Sequence, residues 1–203
     1  MKSNIAGQFL DIFQPEEIQQ LLDILTKLKA APNTGKFKAF TNGFQPTDLI
    51  YPFIKHKVLS RLETLFDRPI FLSHGMLLNE KEPWAIHTDY PKGDTHPDMA
   101  ILIPLNSLPI NTHTVIFNEF CTDHFNIFKF NNKKLLDNAT DIHNSLMSHE
   151  LIENLEYVSF QGAYQWIPGS IIYWDRKLLH ASDNFLQNDI LEKTALVLFT
   201  TFQ

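Results

Sequence analysis

Pro168-Gly169-Ser170-Ile171-Ile172-Tyr173-Trp174-Asp175-Arg176-Lys177-Leu178-Leu179-His180-Ala181-Ser182 reads as an apolar strand, a polar turn and a short returning strand. Pro168-Gly169 predicts a tight turn that separates it from an earlier strand at 163–167, since proline presets one turn dihedral and glycine accepts positive φ. Downstream, 194–201 is a further apolar strand. Upstream, short apolar runs fall at 70–78, 84–88, 99–105 and 114–117. Asn79-Glu80-Lys81-Glu82-Pro83 and Pro91-Lys92-Gly93-Asp94 between them read as turns. Many short strands with turn formers and no interleaved long helices predict a sandwich or barrel, not an α/β sheet.

Residues 1–68 read as helical support for that β unit. Gln14-Pro15-Glu16-Glu17 places proline and acids where a helix begins. Ile18, Leu21, Leu22, Ile24, Leu25 and Leu28 then form a stripe at helical spacing. A second helix starts near Thr47 or Asp48, carries Ile54, Val58, Leu59, Leu62 and Leu65, and ends before Pro69. Both stripes are expected to cover one sheet face. Residues 121–156 interrupt the strands as an insertion with one or two short helices, read equally as a lid or as surface cover. The expectation is a single domain over 1–203, mainly β with N-terminal helices.

Composition narrows the function. With 203 residues and 44% hydrophobic content, including 17 Phe, the chain can bury a core without staples. The net charge of -6 shows no broad basic face, so no nucleic-acid partner is expected. The lone Cys121 excludes an internal disulfide framework. Residues 1–7 lack the long apolar run of a signal peptide, and no stretch is apolar enough to span a bilayer. The expectation is a cytoplasmic protein with no membrane partner.

The chemistry starts at Pro83-Trp84-Ala85-Ile86-His87-Thr88-Asp89-Tyr90. In an extended segment, His87 and Asp89 project to one side. An imidazole beside a carboxylate is part of a facial triad, which leaves adjacent metal positions open. His96-Pro97-Asp98 repeats the pattern, but its central proline suits a strand poorly. His180 returns towards the same interior on the 178–181 strand. Thirteen positions later, Lys193 shares a face with Ala195, Val197 and Phe199; a lysine there is costly unless it meets an anion. Trp84, Tyr90, Trp166, Tyr173 and Trp174 are candidates for a substrate pocket or for core. Arg176 is a candidate partner of Asp175 or of a substrate acid. His74 is read as core or pocket.

The order His-x-Asp, about ninety residues, His, then a basic residue resembles the 2-oxoglutarate/Fe(II)-dependent oxygenase superfamily. The 168–180 segment is similar to that family's "Pro-Gly-small, apolar strand, Asp-Arg-x-Leu-His" stretch, and the resemblance covers about 70–203. It implies a double-stranded β-helix, the cupin-like jelly roll, with a metal between two sheets. By position it implies His87, Asp89 and His180 as iron ligands and Lys193 as anchor of the distal carboxylate of 2-oxoglutarate. Lysine lacks arginine's fork, so a hydroxyl helper is expected, and Thr114 is the candidate. Ala195 stands where the family commonly has a small polar residue. The implied cofactors are Fe(II), 2-oxoglutarate and O2. The implied reaction hydroxylates a C–H bond of a small molecule or protein residue and releases succinate and CO2. Asp89 argues against a halogenase. A silent jelly-roll binding module and another metal-dependent cupin enzyme are the alternatives.

Overall fold

A computed structural model describes residues 6–27, 40–44, 51–89, 99–106, 112–121 and 139–202. The strands are β1 (Ala6–Phe9), β2 (Phe40–Phe44), β3 (Ile70–Glu80), β4 (Met99–Pro104), β5 (His113–Phe120), β6 (Phe160–Gln165), β7 (Ile171–Asp175), β8 (Leu178–Ser182) and β9 (Lys193–Phe202). The α-helices are α1 (Pro15–Lys27), α2 (Tyr51–Phe53), α3 (Ser60–Phe66), α4 (Ala139–Ser145) and α5 (Ile152–Leu155). A π-helical stretch, Ile54–Leu59, joins α2 to α3. The six-stranded sheet has the order β1-β7-β4-β9-β3-β2, and the three-stranded sheet runs β6-β5-β8.

Alternation along the strands sorts side chains into layers. Ile101, Ile103, Leu196 and Leu198 point outward and pack with Ile18, Leu21, Ile54, Val58 and Leu62 of the helices. Their neighbours Ala100, Leu102, Ala195, Val197 and Phe199 point inward, between the sheets. β4 is buried at all six positions because it has a packed layer on each face. On the small sheet, Val115, Phe117, Leu179 and Ala181 face away from the large sheet and pack with Ile142, Met147 and Leu155. Each fully buried aliphatic side chain contributes about 1.5–3 kcal/mol relative to exposure.

The helical stripes cover a sheet face, as expected, and the 121–156 insertion forms two short helices among its described residues. The reading of 1–68 as wholly helical is corrected, because β1 and β2 are edge strands of the large sheet. Each is a short piece whose ladder partner, β7 or β3, lies far along the chain. The 84–88 strand is also corrected, since only His87 forms a bridge. The Pro168-Gly169 turn is present, with Gly169 at φ +83 and Ser170 N–H donating to the Ile167 carbonyl at 3.0 Å. A side chain at Gly169 would collide with the Phe13 carbonyl, so both conformation and space require glycine. Thr47, Asp48, the 91–94 turn, His96-Pro97-Asp98 and Tyr90, and the side chains of Ile24, Leu25 and Leu28, lie outside the described residues.

Candidate metal centre

His87 and His180 face each other as an antiparallel bridge, each backbone N–H donating to the other's carbonyl at 2.9 and 2.8 Å. Such a pair puts both side chains on one face. Asp89 follows two residues later, and its N–H donates to the Arg176 carbonyl at 3.2 Å. Arg176 closes the loop by donating to the Asp89 carbonyl. The His-x-Asp segment is therefore fastened to the β7–β8 turn and to β8 by backbone bonds.

One ligand atom from each of His87, Asp89 and His180 lies within 4.8 Å of the others. The Asp89 carboxylate is 3.3 Å from His180 Nε2 and 3.9 Å from His87 Nε2. Ligands about 2.1 Å from an ion and at right angles stand about 3 Å apart, so little movement would close the set. The tautomers also suit a metal. His87 Nδ1 lies 2.7 Å from the Ala85 carbonyl and His180 Nδ1 lies 3.1 Å from the Leu178 carbonyl. A carbonyl only accepts, so each Nδ1 carries a proton, and Nε2 is the nitrogen of each ring that faces the carboxylate and a metal. Burial, aided by the neighbouring His180, pushes His87 down to about 4. Two imidazoles and one carboxylate fit a divalent cation that prefers nitrogen and oxygen donors. Trp174 Nε1 donates to Asp89 at 3.2 Å and orients the carboxylate.

A cavity of about 280 Å³ opens in front of the three residues. Its walls are largely apolar, with Met76, Leu78, Leu102, Val197 and Phe199 from the large sheet and Trp84 and Trp174 nearer the triad. Thr114, Ser182 and Glu80 supply polar groups. His74 lies against Phe199, with ring centroids 4.6 Å apart and the planes tilted by 32°. Trp166 lies in the core, and Tyr173 packs against the outer helices.

Lys193 is fully buried but is not among the residues lining this cavity. Its Nζ donates to the His113 carbonyl at 2.8 Å, lies 3.4 Å from Asp183 and sits 4.2 Å from the Trp166 ring centre. The anion that a buried lysine requires is supplied by Asp183, which the sequence reading passed over. Asp183 also accepts from Thr112 Oγ1 at 3.0 Å and from the His113 N–H at 2.6 Å. Glu80 was passed over too, because it fell in a run read as a turn. Continuing the alternation of Met76 and Leu78 by one step would have placed it on the inner face.

No protein-family model matches the chain, and no curated protein matches it in sequence. Solved structures do match it in fold. A prolyl-4-hydroxylase of Pseudomonas putida is 8% identical, with TM-score 0.57 over 99% of this chain and 94% of that one. The non-heme alpha ketoglutarate dependent epimerase SnoN from nogalamycin biosynthesis is 10% identical, with TM-score 0.61 over 98% and 78%. HygX of Streptomyces hygroscopicus, solved with nickel, 2-oxoglutarate and hygromycin B, is 12% identical, with TM-score 0.59 over 98% and 83%. The fold is thus the double-stranded β-helix of the 2-oxoglutarate/Fe(II) oxygenases, and two of those neighbours are named for different reactions, a hydroxylase and an epimerase.

Proposed function

We propose that this chain is a 2-oxoglutarate-dependent Fe(II) oxygenase that hydroxylates a C–H bond of an organic substrate in the cytoplasm. The observation that carries this reading is the convergence of His87, Asp89 and His180, within 4.8 Å, at the wall of an apolar cavity. Their donor chemistry fits Fe(II), and a facial set of this kind leaves positions for a chelating 2-oxo acid and for oxygen. When bound, iron and 2-oxoglutarate supply the oxidising power, with succinate and CO2 as products.

This chain's residues supply the geometry. The His87–His180 bridge holds two imidazoles on one face, and Trp174 fixes the orientation of Asp89. Trp84, Trp174 and the aliphatic wall exclude water and offer a surface for an apolar substrate portion. The substrate belongs to the small organic molecules or to protein side chains. Lys193 does not line the cavity, so its ammonium, held by Asp183 and the His113 carbonyl, acts on an anion there through its field alone, and Thr114 contributes a hydroxyl to the cavity.

The test is anaerobic loading with Fe(II) and 2-oxoglutarate, followed by oxygen and measurement of succinate. Metal-dependent turnover is expected, and His87→Ala and His180→Ala should each abolish it. A wild-type rate in either variant refutes the assignment.

A further inference from the structure

We infer that Arg176 is the positioning residue of the carboxylate ligand, holding the main chain of Asp89 against the ring of Phe199. This inference rests on the function proposed above. It gives each ligand of the His-x-Asp segment a fastening of its own.

Arg176 lies in the tight turn between β7 and β8. Ile172 and Trp174 face inward on β7, and Arg176 follows at the same spacing. Its guanidinium carbon ends 4.5 Å from the centre of the Phe199 ring, and the residue is 3% exposed. Neither role read from the sequence fits this placement. Asp175 turns instead to the Lys177 N–H, which donates to it at 2.9 Å. Arg176 does not line the cavity, where a substrate acid would lie.

What Arg176 grips is Asp89. Its carbonyl accepts the Asp89 N–H at 3.2 Å, and its Nη2 donates to the Asp89 carbonyl. Donor and acceptor of the ligand's main chain are thus held by the same residue. An arginine suits this task, because its planar fork can lie on a ring face while one edge bonds a carbonyl. A cation over an aromatic face is attracted to it, more strongly away from water. The ring itself is well anchored, since Phe199 pairs with His74 on one side and Ala100 on the other, within the large sheet. Trp174 Nε1 orients the Asp89 carboxylate at 3.2 Å. Where that carboxylate stands also depends on its Cα, and Arg176 sets this. His87 is fastened separately, by its bridge to His180. Loss of Arg176 should therefore misplace the carboxylate and spare the two imidazoles.

The experiment is a double-mutant cycle read by calorimetric titration of the metal-free protein with Ni(II). Imidazole is a good ligand for this ion, so the histidine pair alone keeps a measurable affinity. Arg176→Met keeps an apolar stem and removes the charged fork. It should weaken Ni(II) binding about 10- to 100-fold, the scale for groups that orient metal ligands. Added to Asp89→Ala, the same change should alter Ni(II) affinity by less than about threefold, because nothing is left to position. Arg176→Lys retains a charged donor and should recover most of the loss. Phe199→Leu leaves the arginine but removes the ring beneath it. It should weaken Ni(II) in the same Asp89-dependent way, and it serves the cycle where Arg176→Met does not fold. Equal losses with and without Asp89 would make Arg176 a general support of the fold and overturn this inference alone. Wild-type Ni(II) affinity in folded Arg176→Met would do the same. If Asp89→Ala by itself binds Ni(II) like wild type, Asp89 is no ligand, and the proposed function falls as well.

Discussion

A carboxyl group buried beside a lysine leaves a mark on stability that separates it from the metal site. Unfolded, Glu80 has its ordinary value of 4.5, whereas the folded carboxyl is raised by burial. On the alkaline side of 4.5 the unfolded chain loses this proton while the folded chain keeps it. Stability from this group is therefore full in acid and declines as pH rises, until the folded carboxyl ionises too. His87 acts in the opposite sense, because a folded value of about 4 costs stability as pH falls below its ordinary 6.5. The two are separated by comparison. Urea unfolding of metal-free Glu80→Gln should lack the alkaline decline that wild type shows, and identical pH profiles would remove Glu80 as its cause. The triad itself was legible, because His-x-Asp and a returning histidine are spacing facts. The partners of Lys193 and Ser182 were not, because Glu80 fell in a run read as a turn and Asp183 lies just past the end of β8, where alternation assigns it no face.

At the scale of elements, α4 and α5 act as a brace on the metal-bearing segment. The Ile86 N–H donates to the Glu150 carboxylate at 2.6 Å, and His149 Nε2 donates to the Trp84 carbonyl at 3.2 Å. Both residues lie in the turn between the helices, whose apolar faces pack under the small sheet with Ile86. Two backbone groups of 84–88 are thus held by side chains of an insertion far along the chain, beside the segment's backbone bonds to His180 and Ser182 of β8. The two readings of that insertion, lid and cover, miss this role, because no periodicity encodes a side chain gripping a distant backbone. β4 and β9, by contrast, were legible, because each carries a long apolar run. Glu150→Ala leaves the buried Ile86 N–H without its acceptor, at a cost of about 1–3 kcal/mol. Because Ile86 adjoins His87, Mn(II) affinity should fall about 10- to 100-fold, as for other groups that orient metal ligands. Glu150→Gln keeps a carbonyl acceptor and should restore most of it. If the folded Glu150→Ala protein binds Mn(II) like wild type, the turn is cover alone.

Across the whole molecule, the metal site is a cross-link between parts the backbone joins loosely. His87 and Asp89 follow β3 of the large sheet, whereas His180 belongs to β8 of the small one. The bridge at His87 and one bond from the Ser182 N–H to the Trp84 carbonyl tie the backbone of that segment to β8. No helix among the described residues is long and apolar enough to cross a membrane. An ion bound by all three side chains exists only when the two sheets are in register, because the unfolded chain holds its ligands far apart in sequence. It should therefore stabilise the native state by mass action, by about 2.7 kcal/mol at a free metal concentration one hundred times Kd. For a chain of this size that is a rise in Tm of about 5–10 °C. Scanning calorimetry with Mn(II), without oxygen or cosubstrate, should show that rise in wild type and lose it in both His87→Ala and His180→Ala. A rise that persists in His180→Ala would mean the ion sits on the His-x-Asp segment alone, with β8 playing no part in holding it.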